Sequence, residues 1–214
     1  MSPDDRYDVS GLSEAQFELG SDGLVLKNLP GITSSAEIDI AEANALVVAV
    51  DRLVRMYDEE HCFTANDICE FHRVWLGGIY AWAGEYRQVN VSKGDFMFAA
   101  AGRVPALMAE YERDVLSRCT PCKFATRDEV LCALAEAHVE LVLIHPFREG
   151  NGRVSRVLST LMALQAGLPL LDFSLIAGEE KESYFAAVRA GLDRNYRPME
   201  RIFAEVIERS VAES

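Results

Sequence analysis

Long apolar runs are missing from this sequence. No stretch approaches the ~18–20 consecutive apolar residues that cross a bilayer, so no membrane span is expected. An apolar signal core is missing too. The N-terminus, MSPDDRYDVSGLSEAQ, is acidic, and export by a cleaved signal is not expected. Basic residues are scarce: 21 Lys and Arg stand against 34 Asp and Glu, a net charge of −13. Binding a phosphate backbone takes a basic face, so nucleic acid is excluded as a general surface partner. A small basic pocket for one nucleotide, or a basic protein partner, is not excluded. Cysteines number five, at 62, 69, 119, 122 and 132. That odd count predicts reduced thiols in a cytoplasmic protein rather than a disulfide framework. Internal repeats and low-complexity tracts are absent. What remains is an ordinary globular chain, half of it apolar, with a mean hydropathy of +0.02.

What is present is mostly helical periodicity. Residues 1–33, rich in Gly, Ser, Asp and Pro, predict a loop-rich extension, and residues 34–214 a single domain. SSAEIDIAEANALVVAVDRLVRM has a Ser N-cap, early acids and apolar residues every three or four positions, the pattern of a helix. A second helix follows Thr64, with Asp67 three residues on in a capping-box position. Then GEYRQVNVSKGDFMFAAAG alternates around Ser-Lys-Gly-Asp and predicts a short hairpin. Helical spacing resumes in RVPALMAEYERDVLSRC, and again from Thr126 or Asp128 to Ile144. It continues in VSRVLSTLMALQAG, EEKESYFAAVRAGLDRN and RPMERIFAEVIERSVAE. The fold class is mostly α: a helical bundle with one small β-hairpin.

Between two of these helices lies IHPFREGNGRVSR, residues 144–156. Pro146 forces the preceding helix to stop at His145. Gly150-Asn151-Gly152 can turn successive backbone N–H groups toward one point, and a helix starting near Asn151 adds the positive end of its dipole. Such a turn suits phosphate. Arg153 and Arg156, three apart, share a helix face and can grip further phosphate oxygens. Glu149 offers a hard oxygen to Mg²⁺, and His145 titrates near neutrality and can take a proton. These are the parts of a nucleotidyl or phosphoryl transfer site. The same residues also admit a plain helix–Pro–Gly loop whose arginines pair with the chain's own carboxylates.

The order His-Pro-Phe-Arg-Glu-Gly-Asn-Gly-Arg-Val-Ser-Arg resembles the signature of the Fic (Fic/Doc) family, His-Pro-Phe-x-(Asp/Glu)-Gly-Asn-Gly-Arg-x-x-Arg, without a mismatch. Upstream, residues 79–87, IYAWAGEYR, are similar to the family's Tyr-Pro-Trp-Ala-Gly-Glu-(Phe/Tyr)-Arg stretch, with Ala81 in place of Pro. Ser92-Lys93-Gly94 with Phe98 is similar to its flap. Leu24 to Asn28 with Gly31-Ile32 resembles its N-terminal lead-in. The likeness spans about residues 24 to 205.

The resemblance implies the Fic fold and protein AMPylation: AMP passes from ATP to a hydroxyl of a target protein, and pyrophosphate leaves. It implies His145 as general base and Glu149 as Mg²⁺ ligand. Gly150, Asn151 and Gly152 would hold the α- and β-phosphates with help from Arg153, and Arg156 the γ-phosphate. Phe147 would pack inward. Lys93, Gly94, Asp95, Phe96, Met97 and Phe98 would form a flap that aligns a target segment by strand addition. The relative Doc, which phosphorylates, departs from Gly-Asn-Gly; this chain keeps both glycines, which favours AMP transfer. Transfer of another nucleotide or phosphoryl group, removal of AMP, and an idle Fic fold serving as a binding module are the competing expectations.

Many Fic proteins are silenced by a helix bearing (Ser/Thr)-x-x-x-Glu-(Gly/Asn), whose Glu pairs with the second signature arginine. Ser10–Glu14 is followed by Ala15, Thr33–Glu37 by Ile38, and Ser210 meets Ser214 rather than Glu. None completes the pattern, so a toxin-like enzyme restrained by a separate small antitoxin is expected, its Glu engaging Arg156. Inhibition in cis through Thr33–Glu37 is the alternative; that segment otherwise serves as an ordinary helix start.

Other motifs carry less. Cys119-Thr-Pro-Cys122 lacks a second pair for zinc and reads as a loop. His138, seven residues before His145, reads as core, since no His-Glu-x-x-His is present. Phe71, Trp75, Tyr80 and Trp82 are spaced for packing. His61 and His72 show no companion groups, and Tyr184 and Tyr196 are weak candidates to line an adenine pocket.

Overall fold

A computed structural model describes residues 11–94, 96–176 and 181–212. The chain is helical, with α1 Ser35–Met56, α2 Ala65–Leu76, α3 Val104–Tyr111, α4 Ser117–Cys119, α5 Arg127–Ile144, α6 Asn151–Gln165, α7 Lys181–Ala190 and α8 Arg197–Ala212. A π-helical stretch, Glu112–Leu116, joins α3 to α4. The expected hairpin is β1 Ser92–Lys93 and β2 Phe96–Met97, antiparallel, with Ser92 opposite Met97 and Lys93 opposite Phe96. None of the described helices is long and apolar enough to cross a membrane.

Helix starts follow their caps. Ser34 Oγ accepts from Glu37 N, and Thr64 with Asp67 forms a complete capping box that satisfies two otherwise open amides. Thr126 and Glu129 form another at the head of α5. α5 is buried on nearly every side, from Val130 through Leu134, Ala137, Leu141 and Ile144. A helix apolar all round belongs in the centre, and α3, α6, α7 and α8 pack around it. α2 and α1 form a layer against α6, with Phe71, Trp75, Leu76 and Leu53 in the core.

The N-terminal extension is held against this body. Val25 is buried, Phe17 pairs with Leu26 in an isolated bridge, and Leu29 N donates to Ile79 O. The Glu14 carboxylate accepts from the amides of Gln88 and Val89 at 2.6 and 3.0 Å, and its carbonyl accepts from Arg148 Nε at 3.0 Å. The extension thus touches both the base of the hairpin and the loop between α5 and α6.

Candidate active site

α5 ends at His145 in the left-handed conformation, φ 54° and ψ 60°, immediately before Pro146. The chain turns, buries Phe147 completely, and enters α6 through Gly150 at φ +83°. A Cβ on Gly150 would lie 2.5 Å from Trp75 Cζ3, so the α2 indole demands glycine there. Asn151 holds the turn shut. Its Oδ1 accepts from Phe147 N and its Nδ2 donates to Phe147 O, each at 2.8 Å.

With the Asn151 side chain committed to the loop, its backbone N–H is the group left for a ligand, as the sequence reading of this turn expects. The N–H groups of Asn151, Gly152 and Arg153 have no hydrogen-bond partner among the described residues. Three open amides at a helix start form an anion cradle. A Cβ on Gly152 would meet nothing within 4 Å.

These groups border a cavity of about 730 Å³. Hairpin residues Ser92, Lys93, Gly94, Phe96 and Phe98 form one wall, and α7 with Lys181, Tyr184, Phe185 and Arg189 another. Among the described residues, Lys93, Arg148, Arg153, Arg156, Lys181 and Arg189 line it against Glu149 and Glu182. A strongly acidic chain has placed six of its 21 Lys and Arg around one hole, which is the field that draws in a polyanion.

His145 lines the cavity under the hairpin, its ring stacked on Phe98 with centroids 3.6 Å apart and planes 17° apart. Its Nδ1 lies 3.1 Å from Val142 O, an oxygen that can only accept. Nδ1 therefore carries the proton and Nε2 the lone pair. Burial first, with help from Arg87 and Lys93, lowers the His145 pKa to about 4. The imidazole is neutral at pH 7, in the form a base requires, and incoming negative charge would raise its pKa again.

Arg87 fixes this geometry from behind. Fully buried, it donates to His145 O at 2.6 Å, Val89 O at 2.9 Å, Ala99 O at 2.5 Å and Ile144 O at 3.4 Å. One guanidinium ties the hairpin's two stems to the end of α5.

His72 also has work to do, contrary to the sequence expectation. Its Nδ1 accepts from Gly84 N at 2.7 Å, its Nε2 donates to Glu149 O at 3.1 Å, and its ring stacks 4.0 Å from Phe147. His61 likewise has a companion, Asp67 Oδ2 at 3.0 Å. His138 is buried as expected: it donates to Ser159 Oγ and accepts from Tyr184 Oη, 3.0 and 2.8 Å away. Tyr184 lines the cavity, but Tyr196 does not. Tyr196 donates instead to Glu140 Oε1 at 2.6 Å. Cys119 and Cys122 are buried free thiols pushed up to about 11 and about 12 by burial.

Burial lowers His72 to about 4 and His138 to about 3, so both join His145 as neutral groups in the folded chain. Below 6.5 the unfolded chain takes up protons on these imidazoles that the native state refuses, so stability falls with pH. The expected result is a Tm that drops progressively between pH 6.5 and about 4. Thermal melts across that window check it, and a flat Tm would contradict three buried neutral imidazoles.

Glu149 is half-exposed at the loop, its Oε1 accepting from Gly150 N at 2.9 Å and lying 3.2 Å from Arg153 Nη2. Arg156 has no carboxylate within ion-pair distance among the described residues. Burial lowers its pKa, Tyr184 opposes that, and Arg153 adds to it. Glu37 is exposed in the first turn of α1 and Glu14 is engaged elsewhere, so neither reaches Arg156. Ser10, Asp95 and Ser214 lie outside the described residues.

Residues 62–163 match the model of the Fic/DOC family. The protein adenylyltransferase Fic of Aedes aegypti is 31% identical over 153 residues, 69% of this chain and 28% of that protein. Its Drosophila melanogaster counterpart is 31% identical over 153 residues, 69% and 29% of the two chains. This chain thus spans less than a third of the curated relatives it matches. Among solved structures, the N-terminal Fic domain of a VirB-translocated Bep effector protein from Bartonella quintana has a TM-score of 0.73 at 24% identity, over 92% of this chain and 93% of that one. BepC from Bartonella tribocorum, solved with bound AMPPNP, has a TM-score of 0.68 at 22% identity, over 85% and 91%. At these identities the structural likeness speaks to the fold alone.

Proposed function

The chain belongs to the Fic/DOC family, and on that premise we propose that it transfers AMP from ATP to a hydroxyl side chain of a target protein. One observation carries the reading: a neutral His145 with its lone pair on Nε2 shares a basic cavity with three open amides, Arg153 and Arg156. Named relatives are protein adenylyltransferases, and BepC was solved with a nucleotide analogue, which supports ATP as substrate.

In the proposed reaction the open amides of residues 151–153 and the two arginines receive the triphosphate. Their charge stabilises the negative charge that develops at phosphorus and on the leaving group. The target hydroxyl oxygen attacks the α-phosphorus, the bond to the β-phosphate oxygen breaks, and pyrophosphate departs. His145 Nε2 takes the hydroxyl proton.

Glu149 is a hard oxygen donor at the cavity edge, whereas the described residues contain no cluster of three or more His, Cys, Asp or Glu. Mg²⁺ arriving with phosphate needs only one or two carboxylates, so the donor set fits that ion held by Glu149. It would supply charge neutralisation to the phosphates. The hairpin, Lys93 to Phe98, would dock the target by strand addition to its two-stranded sheet, beside the base that Phe98 covers.

Arg156, which has no carboxylate partner among the described residues, supports restraint from outside, by a small antitoxin in the cytoplasm that places a glutamate there. Mass spectrometry of lysate proteins incubated with the chain and Mg-ATP tests the activity. A gain of one AMP on Ser, Thr or Tyr is expected, and a gain of phosphate alone would refute the assignment.

A further inference from the structure

The buried face of α1 reads Ile38, Glu42, Ala49, Leu53, a carboxylate in an apolar row. Burying a lone carboxylate is costly, so it must find partners, and Glu42 has them on both oxygens. Tyr80 Oη donates to Oε1 at 2.7 Å, and Arg153 Nη2 lies 2.7 Å from Oε2. Trp75 Nε1 donates to the Glu42 carbonyl at 2.9 Å, and the Arg153 guanidinium stacks 4.5 Å over the Trp75 ring. Only 5% of the Glu42 side chain is exposed.

The same Arg153 nitrogen is 3.2 Å from Glu149 Oε1, whose side chain is 46% exposed. One guanidinium nitrogen is therefore shared by two unlike carboxylates, one sealed in the core and one open to the cavity. Glu42 lies outside the residues that match the family model.

We infer that Glu42 is a positioning residue for the nucleotide site: it retains Arg153 on the cavity wall and thereby frees Glu149 for Mg²⁺. This rests on the functional reading above. A carboxylate that neutralises an arginine offers less charge to a metal. Because Glu42 already supplies Arg153 with a buried counter-charge, the longer, solvent-exposed contact to Glu149 is the one that yields. Glu42→Gln keeps the shape and still accepts from Tyr80. Among the described residues it leaves Glu149 as the only carboxylate against Arg153, and the metal must then displace that pair.

The test is calorimetric binding of AMPPNP to the full chain, with Mg²⁺ and with EDTA, for wild type, Glu42→Gln and Glu42→Asp. Wild type is expected to bind more tightly with Mg²⁺. In Glu42→Gln that metal-dependent gain shrinks on the order of tenfold, while affinity in EDTA changes little, and Glu42→Asp recovers part of the gain. An undiminished gain in Glu42→Gln beside a lowered Tm overturns the inference and leaves Glu42 a packing residue. Should Glu42→Gln fail to fold, Glu42→Asp decides: a gain equal to wild type overturns the inference, and one reduced several-fold sustains it. Wild type that binds no AMPPNP refutes the functional reading itself and takes this inference with it.

Discussion

His145→Ala lowers AMP transfer by about 10²–10⁴-fold, the usual weight of a positioned general base, while AMPPNP affinity stays near wild type. The split follows from geometry: His145 lines the cavity beneath Phe98, whereas the amides and arginines proposed to receive phosphate belong to α6. Position 145 is left-handed, φ 54°, a conformation that histidine already holds and that alanine adopts less readily. Asn tolerates that conformation better, so His145→Asn repeats the experiment with less strain. Transfer rates beside binding isotherms check the pair. Equal loss of rate and affinity in both variants would make His145 a structural residue.

The two glycines of Gly-Asn-Gly part company when each becomes alanine. At Gly150 the new methyl meets the Trp75 indole at 2.5 Å and 3.0 Å, and φ is +83°. Overpacking and a left-handed alanine together cost about 3 kcal/mol. Gly150→Ala is therefore expected to lower Tm markedly and to weaken nucleotide binding, because α6 must shift off the indole. Gly152 is already helical, and its added methyl meets nothing within 4 Å. Replacing a helical glycine by alanine stabilises by about 1 kcal/mol, so Gly152→Ala is expected to hold or raise Tm. It would still weaken AMPPNP, since the methyl stands in the cradle where phosphate must approach the amides. Melting curves and isotherms on the two variants test this. A Gly152→Ala chain that binds AMPPNP like wild type would remove the phosphates from that turn.

The helices were readable because their signals are local. Thr64 and Asp67 are three residues apart, and the period of α1 and α6 repeats within single turns. The candidate loop was readable for the same reason, its proposed functional groups lying within residues 145–156. Arg87, His72 and Glu14 were not, because each acts on a backbone segment far along the chain, and nothing beside them in sequence marks that. Glu42 did leave a trace: it occupies a position in the apolar stripe of α1 where a charge has no business without a partner. The task of the Asn151 side chain was not legible either: only its two bonds to Phe147 show it clamping the turn.

The central claim is that AMP, not phosphate, is the group transferred, and that His145 accepts the proton. Parallel incubations of lysate with ATP labelled at the α- or the γ-phosphate measure this directly, using wild type and His145→Asn. Label from the α-phosphate alone should appear on protein with wild type and vanish with the variant. Label from the γ-phosphate alone, or α-label that persists without the imidazole, would contradict it.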